Sequence, residues 1–145
     1  MRILAVDPGD KRIGIALSDP TGTIASPLTV LEHLSRLVDA ASIAALAAEH
    51  GAIRIVVGQT LDDDNLPTPQ GRKAMRLAEA IRAQTRLEVV LWDETGSTQA
   101  ARTAHIVMGG SSRQRRQRGR GHLDDMAATY ILQTYLDAHP SKAER

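Results

Sequence analysis

The sequence predicts an α/β fold: a five-stranded mixed sheet, three strands in an antiparallel meander and two added in parallel, flanked by helices. Three observations predict it. Short apolar runs closed by turn residues fill the beginning of the chain, strand and helix patterns alternate after Ser35, and the helical segments repeat their apolar residues at i, i+3, i+4 and i+7.

Arg2–Asp7 reads as a buried strand, because Ile3, Leu4, Ala5 and Val6 run together before Pro8-Gly9 forces a turn. Ile13–Ser18 is a second apolar run, closed by Asp19-Pro20-Thr21-Gly22. Thr23–Leu31 is rich in β-branched residues but contains Pro27, which places it at a sheet edge. Short turns join these three strands, so they form the meander. Ser35–His50 is helical, with Leu37, Ala41, Ala44 and Ala48 in register and Gly51 as the stop. Ile53–Val57 is a strand ending at Gly58, and a polar loop follows through Pro69. Within that loop Asp62-Asp63-Asp64 reads as a solvated run rather than a second metal site. Gly71–Thr85 is a helix with Ala74, Leu77, Ala78 and Ile81 on one face. Leu87–Trp92 is the fifth strand and runs into Asp93-Glu94. Ser97–Met108 is helical, with Ser97 or Thr98 as N-cap, Gly109–Gly121 is a loop, and Leu123–Leu136 is the last helix. Residues 1–138 read as a single domain and 139–145 as a disordered tail.

Composition narrows the function. At 145 residues the chain can bury a core without staples, and the absence of cysteine excludes disulfides, thiolate chemistry and a Cys-based zinc site. Aromatic residues are 2% of the chain, so base stacking is not the main way it would hold nucleic acid. The net charge of +1 says little, but positive charge is concentrated between Arg113 and Arg120. No two of the five histidines sit at helical metal-ligand spacing. Met1–Val6 is too short for a secretory or membrane segment, so a cytoplasmic protein with no membrane partner is expected.

The acids carry the chemistry. Asp7 closes the first strand, Asp93-Glu94 closes the fifth, and Asp124-Asp125 opens the last helix. Parallel strands one and five would deliver their acids to the same sheet edge, where functional groups of open α/β sheets gather. Converging carboxylates repel one another unless a cation sits among them, and Mg²⁺ or Mn²⁺ prefers oxygen ligands. Asp124 shares a helical stripe with Ala128, Ile131 and Tyr135, whereas Asp125 starts a neighbouring stripe with Thr129, Leu132 and Leu136. If the first stripe packs on the sheet, Asp124 points toward the strand ends. An acid in a first helical turn also suits the helix dipole, and Asp7 taken alone suits a turn.

Asp7-Pro8-Gly9-Asp10-Lys11-Arg12-Ile13-Gly14-Ile15-Ala16-Leu17-Ser18-Asp19 closely resembles the opening motif of the YqgF/RuvX family. That family comprises small bacterial ribonuclease H-like proteins, described as Holliday-junction resolvases and as nucleases maturing the 5′ end of pre-16S rRNA. Val56-Val57-Gly58, Trp92-Asp93-Glu94 with Ser97-Thr98, and Leu123-Asp124 with Ala127-Ala128 and Ile131-Leu132-Gln133 match in order. The resemblance implies a ribonuclease H-like fold and an acidic triad of Asp7, Glu94 and Asp124, with Asp125 beside it as a further candidate ligand for Mg²⁺ or Mn²⁺. Lys11 and Arg12 would meet a phosphate. Thr95-Gly96 stands where the family usually has Arg, and Gln59-Thr60 where Pro is usual, which puts substrate handling in doubt but leaves the acids.

Arg113, Arg115, Arg116, Arg118 and Arg120 lie just before Asp124 and suit a nucleic-acid backbone through the fork geometry of guanidinium. The expected function is a metal-dependent nuclease for structured RNA, a ribosomal precursor first and branched DNA as the alternative, with a homodimer needed for symmetric junction resolution. A non-catalytic RNA-binding assembly factor is the competing reading, and the retained acids argue against it. A sugar-kinase or actin-like ATPase also opens on a strand and Asp-x-Gly, but needs two such domains.

Overall fold

The computed structural model describes residues 1–93 and 120–140, with side chains from residue 126 onward in the second segment. Strands β1 (Arg2–Pro8), β2 (Arg12–Ser18) and β3 (Ala25–Glu32) precede helix α1 (Arg36–Glu49). Then come β4 (Ala52–Gln59), α2 (Pro69–Arg82), β5 (Glu88–Asp93) and a long helix, α3 (Arg120–Ala138). The strands form one sheet in the order β3-β2-β1-β4-β5. β1–β2 and β2–β3 pair antiparallel, while β1–β4 and β4–β5 pair parallel, which is the expected meander with two parallel strands added. Pro27 does lie on an edge strand, beside a register shift that leaves Leu28 without a partner.

Alternation along the strands separates two cores. Leu4, Val6, Ile15, Ile55 and Val57 face Ile43 of α1 and Leu77 and Ile81 of α2. Ile3, Ala5, Ala16 and Val56 face Ala128, Ile131, Leu132 and Tyr135 of α3. The α2 stripe is the one its periodicity predicts. The α1 stripe is not: Leu37 is 70% exposed and Ala41 and Ala48 are also exposed, while Asp39, Ala40, Ile43 and Ala47 are buried. A helix that is Ala- and Leu-rich all round offers several stripes, and the bulk of Ile43 selects among them.

The helix ends follow capping chemistry. Ser35 accepts from the Val38 N–H at 3.2 Å and Gly51 follows α1 with φ of 68°, a conformation glycine takes without strain. α2 starts two residues before the expected Gly71, because Pro69 suits a first helical position and Thr68 caps it, accepting from the Gly71 N–H at 3.1 Å. α3 starts at Arg120, not Leu123, so Asp124 and Asp125 lie beyond its first turn and do not open it.

α3 crosses the sheet antiparallel to β1 and β4. Its later part lies toward the strand beginnings: Arg54 donates to the Tyr135 hydroxyl at 3.0 Å, and the Gln133 amide accepts from the Ala25 N–H at 3.0 Å. Upstream, Ile131 sits over Gly58, near the carboxyl end of β4. At about 1.5 Å per residue, the helix backbone at Asp124 is about 10 Å further toward and past that end. His139, expected in the tail, stacks on Tyr135 with ring centroids 4.2 Å apart.

A Cβ on Gly58 would lie 2.6 Å from Ile131 Cδ1. Gly58→Ala is expected to destabilise by about 1–2 kcal/mol through overpacking, lowering the thermal midpoint by about 3–6 °C. Adding Ile131→Val, which removes only that methyl, should restore part of the loss. Strict additivity in calorimetry would show that the two side chains do not meet.

Candidate active site

Asp7 is the second-last residue of β1, half-buried, and pairs in register with Gly14 of β2. Ile3 and Ala5 belong to the α3-side core, so alternation assigns Asp7 to that same face. On its other side the register Val6↔Val57 brings Gly58 next. Asp7 therefore has a glycine on either side in the sheet, on the face across which α3 runs. Arg12 shares that face by alternation with Gly14 and Ala16 of β2, and Lys11 is exposed in the connecting loop. Both cations thus sit at the Asp7 edge.

The loop is held firmly. A Cβ on Gly9 would overlap the Arg12 carbonyl, so the turn closes tightly only around glycine. Gln70 of α2 donates to the Pro8 carbonyl at 2.6 Å, and Lys73 of α2 pairs with Asp10 at 2.8 Å, which lowers the Asp10 pKa. The His33 N–H donates to the Lys11 carbonyl at 2.9 Å.

Other acids are structural. Asp19 accepts from the Thr23 and Ile24 N–H groups at 2.8 and 2.9 Å and from the Thr21 hydroxyl, which together hold its carboxyl well below the usual range. Ser18, 2% exposed, accepts from the Ile3 N–H at 2.8 Å, beside the β1–β4 register shift. These two motif residues thus brace the far end of β1. Asp62 accepts from the Asp64 and Leu66 N–H groups at 2.9 and 3.0 Å and shapes an exposed turn, in keeping with the solvated reading of that run. The sequence reading passed over Asp39, which is 4% exposed, meets His33 Nδ1 at 2.5 Å and accepts from the Leu34 N–H at 3.1 Å. Its signal was an acid lying i and i+4 from Ile43, inside an apolar helix.

β5 ends at Asp93, and alternation puts Trp92 on the α3 face and Asp93 on the other. Glu94 lies outside the described residues, as do Arg113, Arg115, Arg116 and Arg118. Asp124, Asp125 and Arg120 are described as positions on α3 but not as side chains. The position of Asp124 continues a stripe buried at Ala128, Ile131 and Tyr135; that of Asp125 continues one half-buried at Thr129 and buried at Leu132 and Leu136. The Asp124 stripe is the more fully buried of the two. Among the described residues no three His, Cys, Asp or Glu side chains gather as a metal centre, and no helix is long and apolar enough to cross a membrane.

Residues 1–138 match the model of the family described as RuvX, Holliday junction resolvase. The chain belongs to the RuvX family. A protein of Thermoanaerobacter pseudethanolicus named "Putative pre-16S rRNA nuclease" is 37% identical over 142 residues, 98% of this chain and 100% of its own. A relative of the same name from Syntrophus aciditrophicus is 39% identical over 138 residues, 95% of this chain and 89% of its own. Among solved structures, RuvC of T. thermophilus in complex with Holliday junction substrate superposes with a TM-score of 0.60. At 13% identity, over 95% of this chain and 94% of that one, it shows a shared ribonuclease H-like fold. RuvX family membership makes this chain a nuclease, a hydrolase acting on ester bonds.

Asp19 gives a pH-dependent prediction. Its folded pKa lies below its unfolded value, so the stability it contributes is present above pH of about 4 and is lost as pH falls through the folded pKa. In denaturant titrations, Asp19→Asn is expected to be less stable than wild type at neutral pH, with the gap closing below pH of about 4. A gap that stayed constant down to pH of about 2 would contradict this.

Proposed function

We propose that this chain is a metal-dependent nuclease that uses Asp7, Glu94 and Asp124 to cut phosphodiester bonds in structured RNA, processing the 5′ end of pre-16S rRNA in the cytoplasm. One observation carries the reading: Asp7 stands between two glycines on the α3 face, and α3 runs back toward that edge. The whole-length similarity to proteins named for pre-16S rRNA supports the substrate. Branched DNA is the second reading, supported by the description of the family as Holliday junction resolvase.

The donor chemistry fits Mg²⁺ or Mn²⁺. Asp7 offers hard carboxylate oxygen, glycine neighbours leave room for the waters such ions keep, and the chain has no cysteine to favour a softer metal. Glu94 and Asp124 would complete the set, with Asp125 as a further oxygen donor. Such an ion, held by these carboxylates, would supply activation of a water and stabilisation of the leaving oxygen. Asp7 orients the ion from a rigid strand rather than a mobile loop. Lys11 and Arg12, fixed by the Gln70 and Lys73 contacts to their loop, meet the phosphates flanking the scissile bond. Arg113, Arg115, Arg116, Arg118 and Arg120 add sequence-independent grip on the backbone.

Cleavage of pre-16S RNA and of a four-way DNA junction, side by side in Mg²⁺ and in Mn²⁺, tests this. Asp7→Asn should lower the cleavage rate by about 100-fold, on the scale of removing one charge-stabilising group from an active site, with thermal stability nearly unchanged. Equal cleavage by Asp7→Asn would refute the catalytic role, and cleavage of the junction alone would move the substrate to DNA.

Replacing the five arginines between Arg113 and Arg120 by glutamine should weaken RNA binding and flatten its salt dependence by roughly 0.7 per lost phosphate contact. An unchanged slope in a salt titration would remove these arginines from the interface.

A further inference from the structure

A groove opens on either face of the sheet beside the β1–β2 loop. On the Asp7 side it is lined by Lys11, Arg12, Val30 and Glu32. On the far side a cavity of about 280 Å³ lies between α1 and α2, lined by Pro8, Ser35, Arg36, Lys73 and Arg76 among others. Asp10 and His33 line both.

The charges in the cavity are not balanced in place. Lys73 is paired with Asp10. Asp39 is taken up by His33 and the Leu34 N–H. Arg36 from α1 and Arg76 from α2 reach the same cavity, and neither has an acidic partner among the described residues. Two guanidinium groups from different helices thus face one cavity with no acid of their own to offset them. Their planar forks match the oxygens of a phosphate. His33, which lines both grooves, is fixed by Asp39 through its ring and by Lys11 through its backbone N–H.

We propose that Arg36 and Arg76, with His33 and Lys73 at the rim, form a second phosphate-binding track that holds the nucleic-acid backbone on the far side of the sheet edge from Asp7. The substrate would then bend over the β1–β2 loop, its scissile phosphate on the α3 face and a flanking segment between α1 and α2. The identity of the ligand rests on the nuclease reading above; the placement of both arginines on one cavity does not.

The test uses the full chain and an RNA hairpin with single-stranded tails, followed by fluorescence anisotropy across a salt series. Binding is measured in an Asp7→Asn background so that the probe stays intact. Arg36→Gln/Arg76→Gln should bind about 10-fold more weakly near 0.1 M salt, with the slope of log affinity against log salt reduced by roughly 1.4–1.8. Arg86→Gln, an exposed arginine between α2 and β5, removes charge elsewhere and should bind as the parent does. With Asp7 intact, the Arg36/Arg76 double variant should keep the single-turnover cleavage rate at saturating RNA and need about 10-fold more RNA to reach it. Parental affinity and slope in the double variant, or an equal loss in Arg86→Gln, would overturn the track. A chain that cleaves nothing would overturn the nuclease reading instead, and the anisotropy series would still decide the track.

Discussion

β1 is hydrogen-bonded on both edges and covered on both faces, so each of its side chains must enter one of two cores. Leu4 and Val6 go to the α1/α2 side, and Ile3 and Ala5 to the α3 side. Asp7 is the first position at which this demand relaxes. It is half-buried at the end of a strand whose preceding four residues are fully committed, so it inherits their register without having to be apolar. The site's geometry is thus set by packing several residues away. A one-residue slip in β1 would turn the Asp7 side chain to the α1/α2 face and put Val6 among the helix α3 residues, at the cost of both cores.

The glycines flanking Asp7 follow from the same constraint. Gly58 lets Ile131 sit close to the sheet, and full burial of a side chain of that size stabilises by roughly 1.5–3 kcal/mol. That contact sets how near α3 approaches β4, and so where the helix backbone emerges beyond the strand ends. Gly71 plays a related part on the other face, where a Cβ would overlap the Thr60 carbonyl and push α2 away from β4. With α2 displaced, Gln70 and Lys73 could not reach the Pro8–Asp10 segment. Two close backbone approaches, one per face, therefore keep the β1–β2 loop and the long helix in fixed relation to the same strand.

Much of this was legible in the sequence. The β1–β2–β3 meander, the parallel β4 and β5, and the buried stripe of α2 are visible because apolar and polar residues are segregated there and turn residues punctuate them. Periodicity does not single out the α1 stripe, because Leu37, Ala41, Ala44 and Ala48 are as apolar as the stripe that is buried; tertiary contact chooses Ile43. The start of α3 was placed at Leu123 because Gly119 and Gly121 read as loop, yet the helix begins between them at Arg120. Asp39 was invisible for a different reason. A buried acid is tolerable only with partners, and its partners His33 and Leu34 are supplied by a β3–α1 connection whose path no local pattern records.

Three acids within one motif, Asp7, Asp10 and Asp19, show why residue type alone could not assign the chemistry. Asp19 folds back on its own turn, where two N–H groups and a hydroxyl lower its pKa and hold its oxygens in place. Asp10 reaches across the loop to Lys73, and that pairing keeps it ionised and anchors α2. Asp7 differs in position rather than in kind: a strand end, a glycine on each side, and a helix running toward it across the same face. The motif is long because it carries three tasks at once: Asp10 ties the β1–β2 turn to α2, Asp19 braces the far end of the hairpin, and Asp7 is thereby held at a rigid strand edge.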